Sequence, residues 1–143
     1  MIAGKKCNIF VIEDNQLYLQ LLTDYFKRNP KLSFTSFHSG DACVERLDEE
    51  PDIIILDYFL ESQYEDKGKN SLEILRTINK QSPDVPIIVL SGKENIEIAV
   101  DSLQYGAYDY IVKNDNAFMR LENAIMNIIR GNVLKKIVRD YKK

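Results

Sequence analysis

Glu13, with Asp14 next to it, and Asp57, Ser91 and Lys113 stand immediately after short apolar runs, the runs being IFVI, IIIL, IIVL and YIV. Three carboxylates gathered at one place repel one another and raise each other's pKa values unless a cation sits between them, and an all-oxygen ligand set selects a hard one. Magnesium fits, because it takes one or two carboxylates, keeps waters and completes its octahedron with a phosphate oxygen. One carboxylate then remains to act as nucleophile, and Asp57 takes that role. A phosphoryl group in transfer spreads charge over three oxygens, so catalysis is mostly positioning and neutralisation. The cation can hold one oxygen, Lys113 a second and the Ser91 hydroxyl a third, while Gly92 leaves space beside the incoming group. Such a set predicts phosphoryl transfer to an aspartate.

These residues meet only if the intervening elements bring them to one edge. Runs rich in Ile, Val and Phe at Cys7 to Ile12, Leu32 to Phe37, Ile53 to Leu56, Pro86 to Leu90 and Tyr108 to Val112 read as strands. Between them, helical spacing recurs in Leu17, Leu21, Leu22, Tyr25 and Phe26, in Ala42, Val44 and Leu47, in Leu72, Leu75 and Ile78, and in Ala99 and Leu103. A last long helix carries Leu121, Ile125, Ile128 and Ile129. Five strand and helix alternations predict an α/β fold with a mostly parallel sheet. Strands that are apolar on consecutive residues call for helices on both faces. Such sheets bind ligands beyond the carboxyl ends of their strands, which is where all five chemical residues fall.

The chain has 143 residues, 45% hydrophobic and 29% charged, enough for one core. Its 19 basic and 22 acidic residues give a net charge of -3, so direct nucleic-acid binding is not expected, and the partners are proteins or small molecules. Cys7 and Cys43 match neither a zinc site nor a redox pair and read as free thiols in a reducing cytoplasm. One histidine, His38, and no cysteine cluster leave little for a transition metal. No apolar run approaches the roughly 20 residues that cross a bilayer, and the start MIAGKK lacks a signal-peptide pattern.

Through IFVIEDN, DIIILDYFL, PIIVLSGK and GAYDYIVKN, in that order, residues 5 to 130 closely resemble the receiver domain of two-component response regulators. The resemblance implies a (βα)5 doubly wound sheet in the order 2-1-3-4-5 with helices on both faces. It further implies that Asp57 is the phosphoacceptor, served by Lys113 and Ser91. The metal would be Mg2+, held by Asp14, Asp57 and the backbone carbonyl of Phe59, with Glu13 acting through water. Tyr110 matches the aromatic switch residue of the fifth strand. In the family the donor is a phosphohistidine on a sensor histidine kinase or histidine phosphotransfer protein. Phosphorylation there draws the hydroxyl residue toward the phosphoryl group, turns the aromatic inward and reshapes the face of the fourth helix, fifth strand and fifth helix. That face would meet a downstream protein or output domain, or a second copy in a homodimer.

The chain also departs from the family pattern. Glu61 stands where a proline is common, and Ser71 where a glycine opens the third helix; between them ESQYEDKGKN reads as a charged loop beside the site. Asn114 replaces the proline after the lysine, and a cis bond before a non-proline residue costs about 3 kcal/mol, so the family's cis bond is not expected. The bulk of Phe59 could shield an acyl phosphate. Its position also argues against an aspartate-nucleophile phosphohydrolase, which would want a second acid two residues after the first. An acidic EDN turn is wrong for a flavin phosphate loop. The chain is expected not to turn over an external substrate. The competing reading is a receiver-like module that binds a protein partner without phosphorylation. Residues 1 to 130 form the receiver domain on this reading, and 131 to 143 a C-terminal helical extension or linker. There Val133, Leu134, Ile137, Val138 and Tyr141 fall at helical spacing beside Lys135, Lys136, Arg139, Lys142 and Lys143, although Gly131 and Asn132 could equally end the helix.

Overall fold

The computed structural model describes residues 5–58, 70–92 and 94–142. Phe59 and nearly all of the charged loop at 61–70, Glu61 included, lie outside them. The described strands are β1 (Cys7–Ile12), β2 (Leu32–Phe37), β3 (Ile53–Asp57), β4 (Ile87–Ser91) and β5 (Asp109–Val112). The helices are α1 (Gln16–Phe26), α2 (Gly40–Val44), α3 (Ser71–Gln81), α4 (Ile96–Gln104) and α5 (Ala117–Tyr141). The strands form one parallel sheet in the order β2-β1-β3-β4-β5.

Side chains alternate across a strand, and the consecutive apolar runs therefore feed two cores. Ile9, Val11, Ile53, Ile55, Ile88, Leu90 and Ile111 pack with Leu22 and Phe26 of α1 and with Leu121, Ile125 and Ile128 of α5. Phe10, Ile12, Ile54, Leu56, Ile87 and Val89 pack on the other side, with Cys43 of α2 and Ile74, Leu75 and Ile78 of α3. Cys7 and Cys43 are both free and buried.

The helix ends are set by side chains that can accept from exposed backbone amides. Asn15, Ser39, Asn70 and Asn95 cap α1, α2, α3 and α4 in this way. One element differs from the sequence expectation. The periodicity of Ala42, Val44 and Leu47 is split between a helix ending at Val44 and a 3-10 turn at Leu47–Glu49, closed by Glu50 at φ 56°. The last helix runs through Gly131 and Asn132 to Tyr141 without a break. Among the described residues, an added Cβ at Gly131 would meet nothing within 4 Å, so none of them imposes a steric demand for glycine there. Among the described residues no peptide bond is cis, the bond before Asn114 included.

Candidate functional site

Register assembles the site. β1 and β3 pair Ile12 with Leu56, so Glu13 and Asp57 leave adjacent strands at the same level. β3 pairs Asp57 with Leu90, and β4 pairs Ser91 with Val112, which brings Ser91 and Lys113 to that same edge. Backbone bonds hold these exits: the Glu13 amide donates to the Phe37 carbonyl at 3.0 Å, and the Lys113 amide to the Ser91 carbonyl at 2.7 Å. Alternation then sorts the side chains. Glu13, Asp57 and Lys113 continue the parity of Val11, Ile55 and Ile111, which face α1 and α5. Ser91, fully buried, follows Val89 at the end of β4, and Tyr110 of β5 is half-buried against the opposite core.

Carboxylate oxygens of Glu13, Asp14 and Asp57 lie within 4.8 Å of one another. The Lys113 ammonium donates to Glu13 Oε1 at 2.8 Å and sits 3.2 Å from Asp57 Oδ1. The Glu13 and Asp57 side chains are almost fully buried, at 2% and 5% exposure, so the pairs are shielded from solvent screening. Glu13 is pushed up to about 7, first by burial and then by the charge of Asp57, with the Lys113 contact opposing both. One ammonium does not neutralise three acids. An oxygen-only cluster with unbalanced negative charge is the setting a hard divalent cation would relieve, so these residues fit magnesium.

Two contributors were not singled out as site residues by sequence reasoning. Ser71, noted only as a departure from the family glycine, is buried at the start of α3, where its hydroxyl donates to the backbone carbonyl of Asp57 at 3.3 Å and to that of Tyr58. Tyr18 of α1 lies beneath Lys113, with the ammonium 4.2 Å from the ring centroid. Neither falls on the apolar stripes read from helical spacing, and their meeting with residues 113 and 57 exists only in the fold. Gly92 is exposed, and among the described residues an added Cβ there would meet nothing within 4 Å. His38 is exposed at the end of β2, with Nδ1 3.4 Å from Gln16 Nε2. No helix among the described residues is long and apolar enough to cross a membrane.

The model of the response regulator receiver domain family matches residues 9–125. The nitrogen assimilation regulatory protein NtrX of Azorhizobium caulinodans is 31% identical over 110 residues, covering 77% of this chain and 23% of that protein. A protein-glutamate methylesterase/protein-glutamine glutaminase of Pyrococcus abyssi is 30% identical over 140 residues, covering 95% of this chain and 35% of that one. Among solved structures, the signal receiver domain of a putative LuxO repressor protein from Vibrio parahaemolyticus aligns with a TM-score of 0.78 at 22% identity, over 93% of this chain and 97% of that one. NtrX from Brucella abortus in complex with ADP aligns with a TM-score of 0.76 at 26% identity, over 96% of this chain and 29% of that one. The chain thus spans about a quarter to a third of the length of these curated relatives. With the strand order, the acidic edge and the family match over most of its length in agreement, this chain belongs to the family of two-component response regulator receiver domains.

Proposed function

We propose that the chain accepts a phosphoryl group on Asp57 from a phosphohistidine, in a magnesium-dependent reaction in the cytoplasm, and passes the change to a protein partner. The observation that carries this reading is the Lys113 ammonium set against both Glu13 and Asp57 inside a cluster of three acids. Asp14, Asp57 and the Phe59 carbonyl would hold the cation, with Glu13 reached through water. Bound there, magnesium would neutralise the acids and draw charge from the phosphoryl oxygens.

In the transfer, an Asp57 carboxylate oxygen forms a bond to phosphorus while the bond from phosphorus to the donor nitrogen breaks, and its electron pair returns to the imidazole. Lys113 meets charge on one phosphoryl oxygen and the Ser91 hydroxyl donates to another. Water later cleaves the acyl phosphate and restores Asp57. The chain is thus an acceptor rather than an enzyme turning over an external substrate. Ser91 pairs with Val112 of β5 beside Tyr110, so a pull on the Ser91 hydroxyl would reach β5 and, through the helices that touch that strand, α4 and α5. That face would engage a downstream protein, an output domain or a second copy, and residues 131–143 would extend or link the receiver domain of residues 1–130.

Intact-mass measurement after incubation with acetyl phosphate or phosphoramidate tests this. A gain of one phosphoryl mass is expected with magnesium, absent under chelation and absent in Asp57→Asn. No gain under any condition would favour the module that binds its partner without phosphorylation.

A further inference from the structure

Lys113 has three donors on its ammonium, and two of them are drawn by Glu13 and Asp57. If Asp57 becomes an acyl phosphate, its carboxylate oxygens lose their charge while the attached phosphoryl oxygens carry a larger one, and the ammonium must turn toward them. A seat that does not depend on a carboxylate would keep the ammonium in place through that turn. Tyr18 has the geometry of one. Its ring centroid is 4.2 Å from Lys113 Nζ, and the lysine side chain is only 17% exposed, which strengthens attraction between a cation and a ring face. The ring is itself fixed. The Tyr18 amide donates to Asn15 Oδ1 at 3.0 Å in the cap of α1, and the ring packs on Phe118 of α5 with centroids 5.5 Å apart. A ring face attracts a cation without demanding one direction of hydrogen bond, so the ammonium can pivot above it.

We propose that Tyr18 is a positioning residue whose ring face holds the Lys113 ammonium over the acidic cluster and thereby sets the rate at which Asp57 is phosphorylated. The rate part rests on Asp57 being the acceptor; the seat itself does not. Tyr18 also provides its own control. Its hydroxyl is buried and has no hydrogen-bond partner among the described residues, so Tyr18→Phe removes an unsatisfied group and keeps the ring. Tyr18→Leu keeps apolar bulk and removes the ring, and Tyr18→Met serves in its place should the leucine variant not fold.

Two readouts are needed. The first is phosphoryl uptake from phosphoramidate with magnesium. The second is the chemical shift of the Lys113 ε-methylene protons in the metal-free protein, which a ring face displaces upfield. Native protein and Tyr18→Phe should share the displaced shift and similar uptake. Tyr18→Leu should lose the displacement and take up phosphoryl roughly three- to tenfold more slowly while remaining folded, the loss expected of a partly desolvated cation–ring contact. Native uptake in Tyr18→Leu, or slow uptake in Tyr18→Phe equal to that of Tyr18→Leu, would overturn the proposal. If native protein takes up no phosphoryl group, the acceptor reading fails and the Lys113 shift decides: its loss in Tyr18→Leu alone supports the seat, and its absence from native protein removes it.

Discussion

Burying two carboxylates beside a single ammonium has a consequence for stability that can be read from Glu13. Its folded-state value of about 7 lies above that of an exposed glutamate, about 4.3, so folding favours the protonated form. The stabilising contribution of that protonation is whole below about pH 4 and is lost as pH rises through 7. In the presence of chelator, native protein should therefore lose stability relative to Glu13→Gln between pH 5 and pH 8, by on the order of 2 kcal/mol. Urea denaturation of both proteins across that range measures the difference, and a difference that does not change with pH would show that Glu13 is not strained by its setting. Added magnesium should shrink the pH-dependent part, since a cation supplies the charge that Lys113 alone does not. Glu13, Asp57, Ser91 and Lys113 were legible in the sequence because each directly follows a run of core residues, and Asp14 because it stands next to Glu13. Tyr18 and Ser71 were not, because a tyrosine and a serine in the first turn of a helix look like packing and capping until residues 113 and 57 are brought against them.

The helices around the sheet are not held equally. α3 buries Ser71, Ile74, Leu75 and Ile78, whereas α4 buries only Ser102 and leaves Ile96, Val100 and Leu103 exposed. Little apolar burial means a low free energy of local opening, and elements that move in switching are drawn from that end of the scale. Hydrogen exchange should accordingly be faster for the amides of α4 than for those of α3, and Asn95→Ala, which removes the side chain accepting from the Glu97 and Ile98 amides, should quicken α4 further. Equal protection of the two helices would deny α4 the part of the mobile element. The existence of α3 and α4 was plain from periodicity. The division of α2 was not, since Ala42, Val44 and Leu47 are spaced as one helix would be. The chain turns at Glu50 in the left-handed region before entering β3, a geometry that hydrophobic spacing does not encode.

At the scale of the molecule, the sheet order and the two cores followed from alternation and consecutive apolar runs, but the direction taken by the tail of α5 did not. Ala117, Leu121, Ala124, Ile125 and Ile128 face the domain. At 3.6 residues per turn, the stripe of Leu134, Ile137, Val138 and Tyr141 is rotated by roughly 130° from that face, and all four side chains are exposed. Lys135, Lys136, Arg139 and Lys142 instead prolong the domain-facing side, where a helix packed on its own sheet would need apolar residues. The last three turns therefore contribute almost nothing to either core. A chain ending at Arg130 should melt within about 2 °C of the full chain, because the energy that sets the midpoint is buried before that point. It should also retain the phosphoryl uptake of the full chain, since every site residue precedes residue 114. Differential scanning calorimetry and intact mass on the two chains make the comparison. A large drop in melting temperature would mean that residues 131–143 belong to the folded unit, and a preserved midpoint with lost uptake would mean that the tail reaches the site by a route the monomeric fold does not provide.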